Sequence, residues 1–319
     1  MKNTKYFLFS CVFILSLTPC YSKEKKIVKN TEKSIKDKSA YDYYHEIVGF
    51  FQNKAWDKTI VISKDMLARY KESPFNSEVY YYLGVSYFNV LDFDMSNFYL
   101  GKYLKNETTP KFFEEAIECK FNIAEKFYEG ARKHIFGLEK LPKVLPAKED
   151  ALDIYDEIIT ALPRHDLTAK SLFKKGILLL DFEDFKPSVE SFEILIRRFP
   201  KHYLAADAYL GIQAVYLKQS EKEFPDPDIL ELAHINLHKF TDSFPGESRL
   251  SEAEKLLSQT EDCFAKELFE TGSFYERTHK LDAAVLYYSN ILSNYPNSSF
   301  AAKAKKSVDK LEKMQQRKK

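Results

Sequence analysis

Glycine is scarce in this chain, with nine in 319 residues, and charge of one sign is missing altogether: 48 Lys and Arg stand against 47 Asp and Glu. The formal net charge is +1, and removing Lys2 and Lys5 with an N-terminal leader would make it −1. A chain so close to neutral has no electrostatic footprint for nucleic acid. No Gly-rich phosphate loop, no G-x-S-x-G, no H-E-x-x-H and no Cys-x-x-Cys occurs in it. His234 and His238 lie four residues apart and share one helix face, but a third ligand is missing from the local pattern, so both are expected to face solvent rather than a metal. His45, His134, His165, His202 and His279 read as scattered. The chain is therefore read as non-enzymatic, without cofactor or metal. No segment alternates like a strand for long, and the longest apolar run, Tyr6 to Leu17, is too short to cross a bilayer.

What the chain does have is a register that returns every 34 residues. The copy built on Gly272 places Leu268, Gly272, Tyr275, Ala284, Tyr288, Ile291 and Pro296 at positions 4, 8, 11, 20, 24, 27 and 32. Two antiparallel helices approach closely only where side chains are small, so positions 8 and 20 carry Gly, Ala or Ser while bulky residues fill the seam around them. Proline at position 32 ends the second helix, because it has no N–H and restricts the residue before it. Leu172, Gly176, Leu179, Ser188, Phe192, Leu195 and Pro200 form a second copy, and Tyr80, Gly84, Tyr87, Ser96 and Leu100 a third. With insertions allowed, Leu210 and Gly211 continue to Ala233, Leu237, Phe240 and Pro245; Ile123, Ala124 and Phe127 continue to Ala151, Tyr155, Ile158 and Pro163 across an insertion at 131–148. A weaker copy opens the series, from Ala40 through Trp56 to Met66.

This is the tetratricopeptide pattern. The expected fold is all-α: a tetratricopeptide-repeat superhelix, or α-solenoid, of about six helical pairs, in which each repeat contacts only its neighbours.

The N-terminus is expected to be an export signal over 1–22, with Lys2 and Lys5 before the apolar run. Leu17-Thr18-Pro19-Cys20 resembles a bacterial lipobox, which would make Cys20 the acylated N-terminus, although Pro19 stands where that pattern has Gly, Ala or Ser. The alternative is ordinary cleavage after Ser22. Residues 23–38 are Lys-rich with few core-forming residues, which suits a disordered basic tether. Repeats are assigned to 39–164 and 165–316, with a short tail at 317–319. Cys119 and Cys263 fall on expected helices, about 144 positions apart, and are read as buried, inert thiols rather than a disulfide.

The first helices of such a solenoid line its concave side. Positions 2, 5, 9 and 12 of these helices include Tyr44, Val48 and Phe51, then Tyr81, Val85 and Phe88, then Phe173, Ile177 and Leu180. An aromatic groove of this kind suits an extended peptide with bulky side chains, unless neighbouring helices already cover it.

The C-terminal half carries a further likeness. Arg198-Phe199-Pro200, Ser243-Phe244-Pro245-Gly246 and Asn294-Tyr295-Pro296-Asn297 each end a pair in an aromatic-Pro manner, and one long helix is expected from Glu247 to Thr278. The stretch from Leu204 to Ala302 resembles the last repeats of the BamD-like family of outer-membrane assembly lipoproteins. The resemblance implies a non-enzymatic scaffold of the β-barrel assembly machinery, lipid-anchored at the periplasmic face of the outer membrane. Its partners would be the barrel insertase and other assembly subunits, met by C-terminal repeats, and unfolded outer-membrane proteins, met by N-terminal ones. The docking face would include Phe274, Tyr275, Glu276 and Arg277. A soluble periplasmic adaptor for cell-envelope or peptidoglycan assembly is the alternative.

Overall fold

The computed structural model describes residues 38–106, 110–223 and 226–316. The expected signal peptide, Cys20, the tether up to residue 37 and the tail at 317–319 lie outside the described residues. Lys38, placed at the end of the tether, already belongs to the folded body: its carbonyl accepts from the Tyr70 hydroxyl and its ammonium lies 2.7 Å from Glu46. Ser39 then caps the first helix, exchanging bonds with Asp42 in a capping box.

Thirteen α-helices follow among the described residues. They are α1 (Ala40–Gln52), α2 (Trp56–Arg69), α3 (Asn76–Asn89), α4 (Phe93–Asn106), α5 (Phe113–Tyr128), α6 (Lys148–Ala161), α7 (Asp166–Asp181), α8 (Phe185–Arg198), α9 (Leu204–Lys222), α10 (Pro227–Ser243), α11 (Leu250–Arg277), α12 (Leu281–Asn294) and α13 (Ala301–Gln316). The first twelve are six consecutive antiparallel pairs, and α13 covers the open end of the last pair. Along the inside, first helices touch across repeats: α1 meets α3, α3 meets α5, α5 meets α7, α7 meets α9, and α9 meets α11. The fold is the all-α tetratricopeptide solenoid.

Burial follows from that layering. The inner helix α3 is buried around most of its circumference, through Val79, Tyr81, Tyr82, Leu83, Gly84, Ser86 and Tyr87. The outer helix α12 buries one stripe only, Ala284, Tyr288 and Ile291, at the spacing of a one-sided helix.

The small residues sit where the helices close up. A Cβ on Gly84 would lie 2.7 Å from Leu100, and one on Gly272 would lie 2.7 Å from Tyr288. Position 20 does more than stay small: Ser96 Oγ donates to the Gly84 carbonyl and Ser188 Oγ to the Gly176 carbonyl, each at 2.7 Å. These cross-helix bonds satisfy hydroxyls that are wholly buried. Gly211 departs from the register. Its close approach is to Phe192 of the preceding pair, not to Leu237 of its own. The seam between α9 and α10 is made instead by Tyr209 stacked on Phe240 at 5.2 Å, and by Asn236 Nδ2 donating to the Tyr209 carbonyl and to Gln213 Oε1. The inserted residues of this copy lengthen α9 to 19 and α10 to 17 residues, and α9 buries its glycine face against α8.

Four second helices, α6, α8, α10 and α12, stop one residue short of an aromatic or leucine that precedes proline. Leu162, Phe199, Phe244 and Tyr295 all leave the helical region with φ between −126° and −135°.

The 131–148 insertion is a β-hairpin, an element without any strand alternation to announce it. Strands β1 (Arg132–His134) and β2 (Lys143–Pro146) pair antiparallel, with a tight helical turn at Ile135–Gly137 between them. The hairpin folds back on the second pair: Glu139 accepts from the Tyr87 hydroxyl at 2.7 Å and pairs with Lys64, while Lys143 Nζ donates to the Leu91 carbonyl at 3.0 Å.

Candidate binding cleft and docking face

On the inner side of the first pairs, α1, α3 and the lead into α5 enclose an open cleft of about 400 Å³. Tyr44, Val48 and Phe51 stand on one wall, and Tyr81, Tyr82 and Phe112 on the other. The helical period explains the first wall, since residues 44, 48 and 51 are i, i+4 and i+7 on one face. The aromatic rings brace one another: Tyr81 stacks on Phe112 at 4.4 Å, Phe51 lies 4.8 Å from Tyr82, and Tyr44 stacks on Phe75 at 4.7 Å. This packing fixes their rotamers before anything binds, which lowers the entropic cost of binding.

The polar groups at the rim are already committed. The Tyr44 hydroxyl donates to Glu78 Oε2 at 2.7 Å, and Lys111 Nζ lies 3.5 Å from the same oxygen. Burial pushes the Tyr81 phenol up to about 12, and burial together with the Glu78 bond raises Tyr44, so both remain neutral at physiological pH. The cleft is thus aromatic and open to solvent, with Lys111 and His45 also in its lining, and its rings offer area suited to apolar and aromatic side chains.

Two residues expected in this groove lie elsewhere. Val85 and Phe88 are half-buried against the N-terminal core, Phe88 edge-on to Phe93 at 5.6 Å, and neither lines the cleft. Phe173, Ile177 and Leu180 pack on the core of the following pairs. The reason is the stacking of first helices: these positions of α3 and α7 are covered by neighbouring repeats, whereas among the described residues α1 touches another first helix, α3, on one side.

At the far end, the region around 274–277 divides by role. Phe274 is 52% exposed and Arg277 is exposed, both at the C-terminal end of α11. Tyr275 stacks on Tyr287 at 5.4 Å. Glu276 accepts from Lys310 at 2.9 Å and from the Tyr288 hydroxyl at 3.1 Å. The Lys310 bond holds its carboxyl below the ordinary value. Tyr275 and Glu276 therefore hold α12 and α13 in place, while Phe274 and Arg277 stay on the surface.

His234 and His238 stay apart on the outer face of α10: His234 lies 3.3 Å from Glu261, and His238 lies 3.7 Å from Asp242 with its side chain 80% exposed. Cys119 is buried, its thiol pushed by burial up to about 12. Cys263 is half-buried, contrary to the expectation of a fully buried thiol, because it sits on the flank of α11 rather than in the seam. Both are free thiols.

Sequence reasoning missed one constellation. Asp92, just before α4, and Asp94, in its first turn, meet His134 of the hairpin, which counted as scattered because forty residues separate it from its partners. It also missed a second cleft of about 270 Å³ between α8, α9 and α10, with Tyr216 and Leu232 beside Glu193, Arg197 and Lys239.

Residues 165–318, just under half of the chain, match the family model YfiO, described as outer membrane lipoprotein. No curated protein matches the chain. Among solved structures it is similar to YrrB, a TPR protein with an unusual peptide-binding site (14% identity, 73% of this chain and 97% of that one, TM-score 0.38). It is similar also to the apo form of RapI (15%, 91% and 81%, TM-score 0.38) and to a tetratricopeptide repeat protein from Parabacteroides merdae (14%, 85% and 98%, TM-score 0.37). No helix among the described residues is long and apolar enough to cross a membrane.

Proposed function

We propose that this protein is a non-enzymatic scaffold of the outer-membrane β-barrel assembly machinery, anchored to the periplasmic face of the outer membrane through Cys20. The observation that carries the reading is the match of residues 165–318 to the outer membrane lipoprotein family, over the half of the solenoid that holds Phe274 and Arg277. In this reading the C-terminal face docks the barrel insertase. The N-terminal cleft, walled by Tyr44, Val48, Phe51 and Tyr81, takes segments of unfolded outer-membrane proteins, whose strands alternate apolar and polar residues. Affinity comes from apolar area buried against rigid, preformed helices.

The test is photo-crosslinking in intact envelopes, with a photoreactive side chain at position 274 or at position 48. The expected result is capture of a barrel protein with periplasmic domains from position 274 and of unfolded barrel precursors from position 48. Capture of cell-wall enzymes alone, from both positions, would overturn the reading in favour of a peptidoglycan adaptor.

A further inference from the structure

The hairpin is joined to the second repeat at a cluster whose donors are not all used. Asp92 is 8% exposed and His134 4% exposed. The His134 amide donates to Asp94 Oδ2 at 2.9 Å, and its ring Nδ1 lies 2.7 Å from the same oxygen. Lys143 Nζ stands 3.3 Å from Asp92 Oδ2. These contacts account for one oxygen of each carboxylate. The other two, Asp92 Oδ1 and Asp94 Oδ1, are buried and receive no donor from outside the pair, their carboxyls facing each other closely enough to share a proton. An orphaned buried carboxylate oxygen is costly, and two side by side more so, because like charges in a poorly solvated place repel.

We propose that Asp92, Asp94 and His134 form a three-ligand site for a divalent cation of the zinc class, its fourth position taken by water, which clamps the 131–148 hairpin to the second repeat. One ligand atom from each residue lies within 4.8 Å of the others, and His134 Nδ1 is 3.6 Å from Asp92 Oδ1. Ligands held at about 2.0–2.2 Å from a tetrahedral zinc are spaced at close to that second distance. Binding needs only that the imidazole exchange its contact with Asp94 for the ion; Asp94 Oδ2 keeps the His134 amide, so the hairpin's register is undisturbed.

The donor set selects the ion. Two carboxylates and one imidazole suit zinc or a neighbouring transition metal, whereas calcium and magnesium prefer oxygen alone. Lys143 contacts the outer oxygen of Asp92 and leaves the inner one open to a cation. Two carboxylates, a neutral imidazole and one ammonium sum to a single negative charge, which a dication reverses without leaving a large excess. The place in the fold also suits a clamp: Asp92 comes from the turn before α4, Asp94 from the first turn of α4 and His134 from β1, so one ion ties together segments forty residues apart.

The full mature chain, stripped of metal, is titrated with zinc by calorimetry while amide exchange follows the hairpin. The expected result is one stoichiometric site and slower exchange at residues 132–146. Asp92→Asn and His134→Gln should each weaken the site by ten-fold or more, and the double variant His234→Gln/His238→Gln should leave it intact. Circular dichroism of each variant checks that the helices persist. Should Asp92→Asn fail to fold, His134→Gln alone decides, because its loss removes a ligand without adding a charge. Absence of a stoichiometric site in the native chain would overturn the proposal. So would binding that survives His134→Gln, or binding that disappears with His234 and His238.

Discussion

Phe192 is held between two glycines. Cβ atoms built on Gly176 and Gly211 would each come within 2.7 Å of its ring, one from its own pair and one from the next, so the ring has no side to which it can retreat. Gly176→Ala and Gly211→Ala should therefore each destabilise the chain by about 1–3 kcal/mol, the usual cost of overpacking a core. Gly49→Ala is the control: nothing lies within 4 Å of its Cβ and it sits inside α1, so it should stabilise by about 0.5–1 kcal/mol. Urea denaturation of the three variants checks all of this, and equal effects at the three positions would contradict it. At this scale the sequence was readable wherever spacing alone places a residue. Gly84, Gly176 and Gly272 meet their own partner helices as the register requires, because position 8 faces position 24 whenever two helices are antiparallel neighbours. Gly211 was misassigned to its own pair, since a glycine does not declare which of two faces it opens. Asp92, Asp94 and His134 were not legible at all, because nothing local couples the start of a helix to a strand forty residues away.

Among the elements, the turns between first and second helices repeat one geometry. Lys54, Leu91, Gly130, Glu183 and His279 all have positive φ. In each case the following amide reaches back to the carbonyl five residues earlier, at 2.9–3.0 Å: Ala55 to Phe50, Asp92 to Tyr87, Ala131 to Lys126, Asp184 to Leu179 and Lys280 to Tyr275. This is the Schellman motif, whose left-handed position favours glycine, and four of the five copies carry a side chain there. Leu91 gains little for its strain, being 68% exposed. Leu91→Gly and Lys54→Gly should each raise stability by about 0.5–1 kcal/mol, read as a higher urea midpoint. An unchanged or lower midpoint would mean that these side chains contribute more than their exposure suggests. Helix ends were readable for the same reason that makes them regular: Pro163, Pro200, Pro245 and Pro296 forbid continuation, and α6, α8, α10 and α12 end accordingly. The hairpin was not, since strands of three and four residues are too short for alternation to show.

For the whole molecule, six pairs and a covering helix make one solenoid with two different ends. At the N-terminal end the aromatic cleft opens between α1, α3 and the lead into α5. The C-terminal end is closed by α13, with Phe274 and Arg277 projecting beside it. The fold class followed directly from the 34-residue register. The groove was legible in part: Tyr44, Val48, Phe51 and Tyr81 line it, while Val85 and Phe88 do not, because superhelical stacking decides which inner residues the next repeat covers. In the proposed function this aromatic cleft grips extended polypeptide. Fluorescence anisotropy of a labelled, unfolded peptide with alternating aromatic residues tests it most directly, comparing the native chain with Phe51→Ala/Tyr81→Ala and with Phe274→Ala. Binding should be saturable, fall by ten-fold or more in the double variant, about 1.4 kcal/mol, and be unaffected by Phe274→Ala. Binding that persists undiminished in a folded Phe51→Ala/Tyr81→Ala chain would contradict it.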